Sequence, residues 1–297
     1  MNDSSESKDS TLRTVAKKVV PSGVRDKIRP YLQAQRDRMA DRELRQIRQR
    51  IFDVGPGLES SVHLAEFDVS FNDAPVCYHL YNDMFVNGIY SYEPTRPDPF
   101  VLDCGSNIGM SMLYFKHLSP NARVVCFEPD PVLLPYLKKN ISQNNLKDVK
   151  LVEAAVSSSN GELSFFADGL IGGGLSEAAP LTASVETKVK TIRLYDYLTE
   201  ECDFMKMNIE GAEWDALEDA ADRLPLIREM AIEYHHLPGL PRTLHSILAL
   251  LHEKGFEYSV SDFGVDAYGP ATLPMKLEKD TRYFRHIYAR RRDTIPD

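Results

Sequence analysis

The chain has 297 residues, 43% of them hydrophobic, which allows one large domain or two small ones around a sizeable core. Charge is uneven: residues 1–50 hold 13 Lys+Arg against 7 Asp+Glu and the other 247 hold 22 against 37, so a basic arm of +6 precedes an acidic body of −15. An acidic body repels a polyanion, which argues against nucleic acid as a partner, and no apolar run approaches the ~18 residues of a membrane helix, so no membrane insertion is expected.

Residues 1–10 are small, polar and charged and read as a disordered tail. Residues 11–60 read as a helical extension whose pattern over 11–52 is broken by Pro21 and Pro30. Its longest piece, 31–52, sets Leu32, Met39, Leu44, Ile47 and Ile51 on a loosely helical apolar pattern. Such helices offer a lid, a cover for a sheet, or the contact of a homodimer. The main domain is expected over 61–297. It opens with alternating stretches at 62–71 and 75–81, with Asn72-Asp73 between them as a hairpin turn.

Strands and helices then alternate, which predicts a largely parallel sheet. The predicted strands are 100–104, 123–128, 149–153, 204–209, 228–234, 256–262 and 283–289. Predicted helices cover 108–118, a segment after Asp130 with Pro131 at its first position, a segment carrying Trp214, Leu217 and Ala221, and 242–253. An excursion with strands near 162–167 and 187–193 flanks a loop holding Gly172-Gly173-Gly174. No clear helix separates the last two strands, so the final strand is expected to run antiparallel. Met1–Lys8 lacks an apolar core, and Cys77, Cys104, Cys126 and Cys202 show no metal-ligand spacing. A cytoplasmic protein with reduced core thiols is the expectation.

The most informative stretch is Val101-Leu102-Asp103-Cys104-Gly105-Ser106-Asn107-Ile108-Gly109. It reads as a buried strand, a glycine turn and a helix start, the place where an α/β sheet holds a nucleotide-like cofactor. Gly105 and Gly109 let the backbone turn tightly. Asn107 stands at the second glycine of a dinucleotide fingerprint, and an acid at the turn suits an ammonium better than a pyrophosphate. Glu128 ends the next strand, 25 residues after Asp103, where a carboxylate can accept both ribose hydroxyls. The pattern favours S-adenosylmethionine, with NAD and a nicotinamide-dependent oxidoreductase as the alternative. Asp103 is expected to hold the amino group directly or through water. Gly105 and Asn107 are expected to line the methionine end, and Glu153 and Ala154 to edge the adenine. Tyr92 and Glu93 are candidates to close over the methionine.

A second cluster, Lys206-Met207-Asn208-Ile209-Glu210-Gly211-Ala212-Glu213, ends the fourth strand. Asn208 and Glu210, two apart on a strand, would face the same crevice. Glu213 fits the first turn of the following helix. Glu233-Tyr234-His235-His236 follows the fifth strand. His235 is the first candidate base, Glu210 the second, and Glu233 a group that could orient either. No spacing demands a metal, and none is expected.

Taken in order, D-C-G-S-N-I-G, F-E-P at 127–129, A-V-S at 155–157, N-G-E-L at 160–163 and K-M-N-I-E-G-A-E resemble the FkbM family of methyltransferases. The resemblance runs from about Glu93 to Tyr234. It implies an α/β class I methyltransferase fold, Rossmann-like, with a seven-stranded sheet whose last strand is antiparallel; residues 11–60 form the helical extension outside it. It also implies S-adenosylmethionine as cofactor and methyl transfer to a hydroxyl of a sugar or natural-product small molecule. A methyltransferase acting on a protein or nucleic acid is the further alternative. The family usually carries an aspartate where this chain has Asn208, an amide that cannot take a proton at neutral pH but whose oxygen can still orient a hydroxyl.

Overall fold

The computed structural model describes residues 42–170, 173–175, 184–261 and 282–295. The chain divides into two compact units, 1–50 and 51–297. Of the first, residues 42–50 are helical. The expected tail at 1–10 and most of the helical extension, with its dimer contact, lie outside the described residues. No described helix is long and apolar enough to cross a membrane.

In the second unit, residues 51–54 are helical and precede a hairpin of β1 (Gly57–Leu64) and β2 (Phe67–Phe71), turning at Ala65 with φ 50°. The expected second stretch at 75–81 is instead helix α1 (Ala74–Tyr81), which runs into a π-helical turn, Asn82–Val86. Asp73 is not a hairpin residue. Its carboxylate accepts the Val76 N–H at 2.8 Å, an N-cap with Pro75 in the first turn, and that capping outweighs the alternation.

Seven strands form the main sheet: β3 (Phe100–Cys104), β4 (Arg123–Phe127), β5 (Val149–Val152), β9 (Cys202–Met207), β10 (Ile227–His236), β11 (Phe256–Ser261) and β12 (Tyr283–Arg291). Their spatial order is β5-β4-β3-β9-β10-β12-β11. The first five are parallel, and β12 lies antiparallel between β10 and β11. This is the class I methyltransferase sheet. Strand order reverses between β3 and β9, so a crevice opens at their carboxyl ends.

β3, β9 and β10 are buried along their whole length, as strands covered on both faces must be. On one face Leu102, Met205, Met207 and Ile232 pack with Leu217 of α4 (Glu213–Asp219) and Ile247 and Leu251 of α5 (Leu244–Glu253). On the other, Phe204 stacks on Tyr92 with centroids 5.1 Å apart and meets Phe115 of α2 (Met110–Leu118) edge-on. All four cysteines are buried and free.

The segment after Asp130 begins with a turn. The Asp130 carboxylate accepts the Val132 N–H at 2.7 Å, and helix α3 follows over Leu134–Gln143. The excursion is a separate three-stranded sheet of β6 (Ala155–Ser157), β7 (Gly161–Ala167) and β8 (Val185–Arg193), in the order β6-β8-β7.

Candidate active site

The crevice is a cavity of about 1280 Å³, its open mouth included. One end is formed by the glycine turn and Glu128, and the other by Glu210, Glu233 and His235.

The turn is set by backbone contact. Gly105 has φ +84°, and a Cβ there would lie 1.9 Å from the Asn208 carbonyl oxygen. Gly109 has φ +89° and packs on Leu137, so it shapes the start of α2 rather than lining the cavity. Asn107, at φ 53°, aims its N–H at one Glu128 oxygen at 2.7 Å. The Asp130 N–H takes the other oxygen at 2.8 Å. Burial pushes the Glu128 carboxyl up to about 7, although both amides favour its ionised form. The Asn107 side chain also donates to the Leu170 carbonyl, and the Gly169 N–H donates to Asp130 at 3.1 Å. These bonds hold the end of the β7 excursion against the turn, and Phe165, Leu170 and Leu175 complete that wall.

At the other end, β9 stops at Met207, so Asn208 and Glu210 are not strand neighbours as the pattern predicts. Glu210 sits in the following turn with φ 54°, yet both side chains line the cavity. Strand β10, by contrast, runs on to His236, so Glu233 and His235 are strand residues rather than loop residues. Their period-two spacing points both into the cavity, while Tyr234 joins the core beneath.

His235 Nδ1 lies 3.0 Å from Glu213 and Nε2 lies 3.3 Å from Glu210. Glu213 also accepts the Gly211 N–H at 3.1 Å from both oxygens, so it is both a turn cap and the support of the imidazole. Burial opposes charge on His235, but Glu210 first, then Glu213 and Glu233, outweigh it and raise its pKa to about 9. The three carboxylates therefore favour the protonated ring at neutral pH. Burial raises Glu210 to about 7 and Glu233 to about 8. Glu233 accepts from the Tyr90 hydroxyl and, at 2.7 Å, from the Asn208 amide. The second Asn208 polar atom, Oδ1, is buried without a partner.

Besides Gly109, four predicted cofactor residues lie away from the cavity wall. Asp103 is buried behind it, accepting from Ser111 at 2.6 Å and facing Lys206 at 3.5 Å. Glu153 is half-exposed and paired with Lys138 at 2.8 Å, because the β5 end turns it outward while Ala154 faces in. Tyr92 belongs to the aromatic core, and Glu93 is exposed, with its carbonyl accepting from Arg228. Sequence reasoning gave no role to Lys206 or Tyr90. Lys206 had a signal: it is a charge within an apolar strand, in parallel register with Asp103. Tyr90 lies in an irregular segment with no periodicity to read.

Residues 103–258, just over half of the chain, match the family model described as the methyltransferase FkbM domain. The chain belongs to the FkbM methyltransferase family. Methyltransferase sdnD of Sordaria araneosa is 29% identical over 213 residues, covering 60% of this chain and 81% of that one. The 31-O-demethyl-FK506 methyltransferase FkbM of Streptomyces tacrolimicus is 28% identical over 214 residues, covering 60% and 80%. The 2-O-methyltransferase NoeI of Sinorhizobium fredii is 29% identical over 160 residues, covering 47% and 64%. Within this FkbM-family chain, no group of three His, Cys, Asp or Glu side chains among the described residues is arranged to hold a metal ion.

Proposed function

We propose that this FkbM-family protein transfers the methyl group of S-adenosylmethionine to a hydroxyl oxygen of a sugar or natural-product small molecule. The observation that carries the reading is one cavity that joins a ribose-type carboxylate, Glu128, to a buried carboxylate–imidazole cluster at Glu210 and His235. The residues fit an adenosyl group. A carboxylate offers about four lone-pair positions, and the two amides on Glu128 leave capacity for two ribose hydroxyls. Ala154, Phe165 and Leu170 supply apolar surface for a base. The names of the relatives FkbM and NoeI specify methylation at oxygen, which supports an alcohol acceptor here.

The bound sulfonium supplies an electrophilic methyl group and a good leaving group. The chain's own residues align the acceptor and take its proton. Glu210, with a pKa near 7, accepts that proton at neutral pH. The charged His235 ring, fixed by Glu213, holds Glu210 in place and neutralises it. Asn208 hydrogen-bonds Glu233 and presents its amide to the cavity as an orienting group.

The test is a screen of glycosylated and polyketide alcohols with a methyl-labelled donor. Label is expected on an acceptor oxygen. Tight NAD binding with no binding of S-adenosylmethionine in calorimetry would sink the reading.

A further inference from the structure

Lys206 is a buried cation on the cavity wall that the proposed reaction does not use. Its ammonium lies beneath the glycine turn: an ideal Cβ on Gly105 would sit 3.6 Å from Nζ. An ammonium has three N–H donors. The Gly105 and Cys104 carbonyls accept from Nζ. The nearest carboxylate oxygen, Oδ1 of Asp103, is 3.5 Å away and carries no hydrogen bond. The pair is thus a loose one, and although the Tyr90 ring centroid lies 5.7 Å from Nζ, the third N–H has no hydrogen-bond acceptor on the protein.

The surroundings decide what that donor serves. Around the turn the charged groups are acidic: Asp103 behind the wall, with Glu128 and Asp130 on it. An anionic ligand group placed there meets repulsion unless a cation answers it. Two histidines also line the described cavity, but His235 is bound to Glu210 and Glu213, and His79 pairs with Asp83 at 3.2 Å. Lys206 alone among the described lining residues is a lysine or arginine.

We propose that Lys206 binds the carboxylate of the donor's methionine portion, so that the protein prefers ligands that keep this group. The inference rests on the S-adenosylmethionine reading above. Asp103 then acts through Lys206, holding its ammonium at the turn rather than touching the ligand.

Calorimetry with two ligands tests it: S-adenosylhomocysteine, and the analogue that has the amine but lacks the carboxyl group. Wild type is expected to bind the first roughly 10- to 100-fold more tightly, the scale of a charge-assisted hydrogen bond. In Lys206→Met that preference should vanish through weaker binding of S-adenosylhomocysteine, with no weakening of the analogue. Lys206→Arg should keep most of the preference. Equal binding of the two ligands by wild type overturns the proposal without any variant, so a variant that fails to fold cannot shelter it. Equal weakening of both ligands in Lys206→Met assigns the lysine to the turn's structure alone and also overturns it. If wild type binds neither ligand, the cofactor reading falls, and the proposal with it.

Discussion

The two ends of the cavity are built by opposite means. At the glycine turn, position is fixed by the backbone: left-handed φ angles at Gly105 and Asn107, and two peptide N–H groups on Glu128. At the far end it is fixed by buried charge, with three carboxylates around one imidazole drawn from β10, the start of α4 and the turn before it. A turn of the first kind tolerates almost no added atom. A cluster of the second kind tolerates atoms but not the loss of a charge, since each partner left behind is buried and uncompensated.

The harshest way to break the comparison is Gly105→Ala. The new methyl would have to occupy space 1.9 Å from a backbone oxygen at φ +84°. Neither backbone can yield cheaply, so the expected loss is on the order of 3 kcal/mol or more of stability. Chemical denaturation measures it. A loss below about 1 kcal/mol would show that the turn is not sterically determined.

Glu210→Gln tests the opposite end with no change of size. Turnover should fall roughly 10²- to 10⁴-fold while cofactor affinity stays within about threefold, because the acid acts on the acceptor's proton. The pH profile sharpens the point. Below about 7 Glu210 is protonated and cannot accept, and above about 9 His235 loses the charge that holds it. The wild-type rate should therefore be bell-shaped between those limits, as properties of the coupled cluster. Glu210→Gln should erase the acid limb. An unaltered acid limb in that variant would move the base to Glu233.

Glu128→Ala returns to the turn and asks for less. Losing charge-assisted bonds to the ribose should weaken cofactor binding by roughly 1–3 kcal/mol. Calorimetry reads it directly, and unchanged affinity would place the ribose elsewhere.

The same contrast explains what could be read from the chain. Gly105, Asn107 and Glu128 are set by local turn chemistry and by the ends of neighbouring strands, and both are written in short stretches of sequence. The alternation of strands and helices likewise gave the parallel run of the sheet, and the missing helix between the last two strands gave the antiparallel final one. The hairpin assignment at Asn72-Asp73 failed because a helix cap and a turn use the same residue types, and only the Asp73–Val76 bond separates them. At the far end, His235 was found as a residue but not as a charge state. Its protonation depends on Glu210 and Glu213, which come within 3.3 Å only when β9 and β10 pair and α4 begins. The surroundings of Asp103 were hidden for a related reason. Its strand position was right, but its carboxylate lies off the cavity wall, which Lys206 in the adjacent register lines.

The smallest expected effect guards against crediting every acid near the sheet. Glu153 follows β5 and was expected at the adenine, yet it is half-exposed and bound to Lys138 of α3. An exposed ion pair contributes about 0–1 kcal/mol to stability and is screened by salt. Glu153→Ala should therefore shift stability by no more than that and leave cofactor affinity unchanged. The wall at this point is made by Ala154, whose small side chain is buried against the cavity, so Ala154→Leu should obstruct the base where Glu153→Ala does nothing. A tenfold loss of affinity on removing Glu153 would mean that the β5 end turns inward when the adenosyl group binds, and the amide-built end of the cavity would then be the adaptable one.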